Sequence, residues 1–360
     1  MTAAKGRLSH IDLLESIAIF FVIFYHSTTY FFDFISDSSA SSYLLYFGRT
    51  ILSTCVPLFF FANGYLLLNK PFDLKKHIKK IIRIILLVLV WAFLLMPTYL
   101  IIAGKPLDIG LITSNILSLD IESGMNLFWF LGALVCIYIF FPALKSLFDT
   151  DRKAFIFITI ILALLGFGFI LGNQVLAFLG LIFKRDLGHL DHPLFTMFNP
   201  FGGFGGYSFA YFCCGGLIYT YEDKILEIKK STRNLTAIAV MIVSCFALFL
   251  IGINCSNSEI IWDVVWNGYN TVPTFLNVIA IYVLCLSYTK NSKLIHLISL
   301  NTLGIYFIHG LSLKLTRPLL MPYDIFYTFP ANIVYAVFVL LVCLAICLLL
   351  RKIPLLKKLV

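Results

Sequence analysis

The sequence predicts an all-α polytopic membrane protein, and three observations carry that expectation. Apolar residues make up 60% of the 360, mean hydropathy is +0.95, and only 12% of residues are charged. A soluble domain exposes far more charge than that. Apolar runs of about 20 residues recur along the whole chain, the length an α-helix needs to cross a hydrocarbon layer of roughly 30 Å. Lipid offers no hydrogen bonds to a bare backbone, so helices are the expected form of such runs.

Ten runs are expected to span. The first, about 12–34, contains "SIAIFFVIFYHSTTYFFDF", and a helix cap at Ser9 or Asp12 with acids in the first turn suits its start. The second, about 43–68, closes on "VPLFFFANGYLLL". The third, 78–103, opens through the basic "FDLKKHIKKIIRIILL". The fourth, 126–147, carries "LFWFLGALVCIYIFFP", and the fifth covers 154–172. After it "VLAFLGLIF", 175–183, is too short to span at about 1.5 Å per residue and is expected to be interfacial or re-entrant. The glycines of "NPFGGFGGYS" lack the following Lys and preceding strand of a phosphate loop, so they are expected to form a flexible turn into the sixth span, 204–221. The last four are 234–253, 270–288, 298–319 and 331–351. The chain is expected to be a single membrane domain over 1–360 without an appended soluble domain, and its basic, apolar start a retained helix rather than a signal peptide, since no small-residue cleavage site precedes His26. Eight of the nine cysteines lie inside predicted spans, where they act as small apolar residues and build no disulfide framework.

Charge sets the expected orientation. With both termini cytoplasmic, 21 of the 27 Lys and Arg fall on the inner side, and Arg49, Lys105, Lys184, Arg185, Lys314 and Arg317 face outward. The formal charge of +9 then reflects topology in a cell membrane and attraction to anionic lipid. No nucleic-acid motif is present, so no nucleic-acid partner is expected.

Ionisable groups at membrane depth are costly and mark sites. His26 is expected some 14 residues into the first helix and His309 about 11 residues into the ninth; a structural imidazole bonded to a neighbouring Ser or carbonyl is the alternative for each. Eleven residues separate Glu15 from His26, which at about 100° per residue brings both to one face, about 16 Å apart along the axis. That is about the reach of a pantetheine arm. Lys76, Lys79, Lys80 and Arg83 recur at three- and four-residue steps and form a basic stripe suited to phosphates. Arg83 stands about a turn inside the apolar run.

Five segments together resemble the integral-membrane acyltransferase-3 family, over nearly the whole chain. They are "IDLLESIAIFFVIFYHS", "VPLFFFANGYLLL", "KKHIKKIIRI", "LFWFLGALVCIYIFFP" and "LGIYFIHG". The resemblance implies transfer of an acyl group from coenzyme A to an extracytoplasmic sugar. It implies catalytic roles for His26 and His309, donor binding by Lys79, Lys80 and Arg83 with Glu15 beside them, and acceptor contacts from Trp129, Asn63, Tyr306 and Asn126. Two residues depart from its pattern: Glu15 stands where the family has Arg, and Asn63 where it has Ser. An acid cannot hold phosphate, so anchoring falls to the third helix, and Glu15 is expected to pair with one of its cations.

His189, Asp191 and His192 cluster in "KRDLGHLDHPLF", but a fourth ligand is missing nearby and no metal is expected. No Gly-x-Ser-x-Gly elbow, carboxylate pair or Walker motif appears. The function expected is O-acyl transfer, most simply O-acetyl transfer from acetyl-CoA or another acyl-CoA, to a surface polysaccharide or lipid-linked saccharide. His26 is the expected general base, and His309 orients it or transiently carries the acyl group. The alternative is a saccharide transporter, flippase or polymerase with histidines lining a conduit.

Overall fold

A computed structural model describes residues 8–118, 128–190, 205–354 and 356–359; Asn126, Asp191 and His192 lie outside them. Helices occupy all ten apolar stretches, and among the described residues there is no strand. Seven are long and apolar enough to cross a membrane, or eight when one bent pair is taken as a single span. The shortfall from ten comes from two shorter helices, Gly205–Thr220 and Val272–Cys285.

Helix α1 (Ser9–Ser27) is central, packing against several other helices. It stops well before the expected 34. Ser27 and Thr28 each donate their hydroxyl to the Phe24 carbonyl, at 3.0 and 3.1 Å. Thr29 is drawn away instead, its N–H donating to Asn332 Oδ1 at 2.8 Å and its hydroxyl to the Phe326 carbonyl at 2.9 Å. Hydroxyl side chains thus offer the backbone an alternative to the next helical turn. His26 consequently sits at the end of α1 rather than within the middle of a longer helix.

A second chain segment runs back through α2 (Ala40–Arg49), a short 3₁₀ turn (Thr50–Thr54) and α3 (Cys55–Leu68). Helix α4 (Leu74–Ile102) follows, capped by Asp73, whose carboxyl accepts the Lys76 N–H at 3.0 Å and is held below the usual carboxylate range by that bond. Beyond α5 (Ile109–Ser118) come α6 (Trp129–Thr150) and α7 (Arg152–Phe183). The latter corrects the expectation for 175–183. That stretch is no separate interfacial piece; it continues one 32-residue helix, because neither Gly172 nor Asn173 breaks the backbone ladder. At about 1.5 Å per residue α7 measures about 48 Å and must tilt or protrude.

Helix α8 (Gly205–Thr220) makes its closest packing against α3. A Cβ on Gly64 would stand 1.7 Å from the Phe212 carbonyl oxygen, and one on Gly215 2.0 Å from that of Phe61, so glycine on both sides permits the approach. The short α9 (Glu222–Glu227), then α10 (Lys230–Cys255) and α11 (Val272–Cys285), lead to α12 (Lys293–Leu300) and α13 (Thr302–Leu320), bent by 79° at Asn301. The bend frees the Leu300 carbonyl, which Arg351 of α14 (Phe329–Lys352) binds at 2.8 Å. Asp12 and Glu15 mark one end of this bundle, and His26 the other.

Candidate active site

The bend and the α1 terminus bring the two histidines together. His26 and His309 rings lie 5.3 Å apart between centroids. His309 is fully buried, and its Nδ1 lies 2.6 Å from the Tyr306 carbonyl. A carbonyl can only accept, so Nδ1 carries the proton and Nε2 keeps its lone pair. That Nε2 and His26 Nδ1 are both buried without a hydrogen-bond partner. Such orphaned atoms are expensive in a packed interior, and a role in a reaction is one reason for a fold to keep them. His26 itself is half-buried, which leaves its Nε2 as the nitrogen open to approach.

Two arginines that charge counting turned toward the outer side are built into this region. Arg317 donates from Nη2 to the His26 carbonyl at 2.5 Å, taking one of the acceptors left open at the α1 terminus, and its Nε is buried without a partner. Arg49 is 5% exposed, bonds Thr28 Oγ1 at 3.1 Å, stands 3.9 Å from Asp263 and lies 4.0 Å over the Phe32 ring. Asp263 in turn accepts the Tyr25 hydroxyl at 2.5 Å, and the Tyr25 ring is 4.9 Å from that of His26. A cavity of about 550 Å³ begins here at Thr29 and is lined by Asp33, Arg49, Glu259 and Asp263. Asp33 is held below the usual carboxylate range, chiefly by the Ser36 hydroxyl. One signal for Arg49 was present in the sequence: it is the sole charge from 38 to 69.

The expected donor residues divide into two groups. Lys79 and Arg83 are exposed and line an open groove of about 890 Å³ together with Arg351, Lys357 and Lys358. No acid lines it; its walls are Ile82, Leu86, Leu87, Val90 and Leu359. The Trp91 indole N–H donates to the Leu359 carbonyl at 3.0 Å and fixes the tail across α4. Lys80 points elsewhere, its ammonium 4.4 Å over the Tyr138 ring and within electrostatic reach of Glu15. Glu15 accepts the Ser299 hydroxyl and lines a separate cavity of about 530 Å³ with Asp12, Asn69 and Lys70. The single basic stripe is therefore corrected: successive positions 79 and 80 are turned by about 100° and serve different faces.

The other expected contacts are also distributed. Asn63 spends both ends of its amide internally, donating to the Phe59 carbonyl at 2.9 Å and accepting the Tyr138 hydroxyl at 2.7 Å. Tyr306 buries its ring against Phe130 and supplies its carbonyl to His309. Trp129 stacks on Tyr269 at 5.8 Å and meets Trp266 edge-on at 5.3 Å. His189 is exposed in the turn after α7, and among the described residues no three metal-binding side chains converge.

Comparison with curated proteins and comparison with solved structures each return no match. A family model described as "Acyltransferase domain" matches residues 8–352, a span that contains the histidine pair, both arginines beside it and the start of the basic groove. The chain belongs to the acyltransferase-3 family of membrane acyltransferases.

Proposed function

We propose that the protein is an O-acetyltransferase of the cell membrane, with both termini cytoplasmic, that moves an acetyl group from acetyl-CoA to a hydroxyl of an outward-facing polysaccharide or lipid-linked saccharide. The observation that carries this reading is the pairing of five cations in one acid-free groove with an imidazole pair near the opposite end of the bundle. Like charges gathered at a membrane face repel unless an anion joins them. The three phosphates of coenzyme A fit that need. From Lys79 to Val90 the groove follows α4 for about 16 Å, comparable to a pantetheine arm. Its deep end meets Trp91, which stacks on Phe307 at 5.3 Å, two residues from His309.

In the step proposed, His26 Nε2 removes the proton from the acceptor hydroxyl as its oxygen attacks the thioester carbonyl. The C–S bond then breaks, and His26 returns the proton to the departing sulfur. His309 Nε2 accepts the His26 Nδ1–H after a small ring rotation, which fixes the tautomer that leaves His26 Nε2 free as base. His309 has no surface of its own, which favours this orienting role over that of acyl carrier. Arg317 holds the His26 backbone in place. A saccharide conduit without acyl chemistry has no use for an acid-free cationic groove. Membranes bearing the protein should transfer labelled acetyl from acetyl-CoA to a glycan fraction, and His26→Ala should lower transfer at least about 100-fold. Unchanged transfer by a well-expressed His26→Ala protein would exclude His26 as the base.

A further inference from the structure

Beside the Tyr25–Asp263 contact, at the His26 end of the molecule, lies a second cleft of about 510 Å³ between α7, the start of α8 and residues 262–270. Its lining includes Tyr207, Trp262, Trp266, Tyr269, Asn267 and Asn270, and no charged side chain. The carboxamides of Asn267 and Asn270, the Tyr207 hydroxyl and the Trp262 indole N–H make no hydrogen bond within the described residues, while most other polar side chains nearby are engaged. Trp266 is 39% exposed. The cleft thus offers exposed aromatic surface and unengaged donors and acceptors, with no cation or anion.

We infer that this cleft binds an uncharged sugar unit of the acceptor, one carrying hydroxyl or acetamido groups but no carboxylate. A pyranose has an apolar C–H face, which an aromatic ring covers, and a rim of hydroxyls. A carboxamide, which both donates and accepts, can match either partner of a hydroxyl or an acetamide. A uronate would find no cation in the cleft to replace its lost water, and in the neighbouring cavity Asp33, Glu259 and Asp263 outnumber the single cation Arg49, which already stands 3.9 Å from Asp263. The Trp129 ring against Trp266 joins the cleft to α6, so the expected acceptor contact at Trp129 and the new cleft form one surface. The inference rests on the transferase reading for calling its ligand an acceptor, but the binding itself does not.

Three of the four tryptophans, Trp129, Trp262 and Trp266, lie in or against the cleft, so intrinsic fluorescence reports its occupation. Purified protein titrated with chitotetraose, maltotetraose and tetragalacturonate, without any donor, should show a saturable change with at least one of the two neutral probes and none with the acidic one. Asn267→Asp and Asn270→Ala should each weaken that response at least about fivefold, and both positions are half-buried at the surface, where folding tolerates the change. No response to either neutral probe, a response equal in the variants, or equal binding of tetragalacturonate would overturn the inference and leave the tryptophans as an interfacial belt. The acetyl-label assay separates the two readings. Sugar binding with no acetyl transfer would sink the transferase proposal alone, and transfer indifferent to Asn267→Asp would sink the cleft alone.

Discussion

The basic groove along α4 and the aromatic cleft beside residues 262–270 are cavities of similar order, about 890 and 510 Å³, with opposite chemistry. One gathers Lys79, Arg83, Arg351, Lys357 and Lys358 and admits no acid; the other gathers Asn267, Asn270, Tyr207 and two tryptophans and admits no charge. Electrostatics alone therefore sorts a multiply charged ligand to one and a neutral polar ligand to the other. The histidine pair belongs to neither lining, and Tyr25, which packs on His26 and donates its hydroxyl to Asp263, connects it to the cleft side. An enzyme that must keep two substrates from exchanging places is served by such a division.

Charge reversal in the groove is the strongest way to break this comparison. Arg83→Glu together with Lys358→Glu should raise the apparent Michaelis constant for acetyl-CoA at least about 100-fold, since each phosphate contact is charge-assisted and worth about 1.5–3 kcal/mol. The acceptor constant should stay within about twofold. Salt sharpens the same contrast: raising ionic strength from about 0.05 to 0.5 M should weaken donor binding and leave sugar-induced fluorescence unchanged. If donor kinetics ignore both manipulations while an anionic lipid is displaced from the double variant, the groove is a lipid headgroup site and the donor binds elsewhere.

A smaller effect is expected at Arg317. Removing the guanidinium in Arg317→Met frees the His26 carbonyl and loosens the terminal turn of α1, and misplacing a base by a fraction of an ångström costs rate rather than binding. The turnover number should fall about 10- to 100-fold with both Michaelis constants little changed, and Arg317→Lys should recover part of the loss. Steady-state kinetics in detergent or nanodiscs would decide. A change confined to the Michaelis constants would make Arg317 a substrate contact instead.

The helical architecture was legible because apolar runs and lipid leave few alternatives: all ten runs are helical. Boundaries were less so. The α1 stop depends on Thr29 meeting Asn332, 303 positions away, and no local pattern announces that. For the site, His26 and His309 stood out by depth in the sequence, and their rings do adjoin. Arg49 and Arg317 carry the same signal, a charge among apolar residues, yet counting them only as outward-facing cations hid it. The stripe Lys79, Lys80 and Arg83 shares a sequence spacing but not a face. Three-residue steps drift by about 60° around a helix, and only the neighbours α14 and α6 decide which cation meets which cavity.

The least effect is predicted where the family pattern is broken, at Glu15. Its carboxylate accepts the Ser299 hydroxyl and faces a cavity that also holds Asp12, so a phosphate arriving there would meet two acids against the single cation Lys70. Lys80, within its electrostatic reach, has turned away from the groove that holds Lys79 and Arg83. If the groove is the donor site, Glu15 serves as a local counter-charge for Lys80 and a partner of Ser299, not as a donor contact. Glu15→Gln keeps the shape and a hydrogen bond to Ser299 while removing the charge, so it should cost at most about 1 kcal/mol of stability. It should leave the donor Michaelis constant within about twofold. Glu15→Arg is the sharper variant. A rebuilt phosphate anchor would tighten donor binding, whereas a cation set beside Lys70 and Lys80 should lower folded yield and leave the donor affinity of the surviving protein unaltered. A tenfold gain or loss of donor affinity in either variant would move the phosphates from the α4 groove to the cavity under α1, and the contrast between the two ends of the molecule would have to be redrawn with an acid-lined pocket as its donor side.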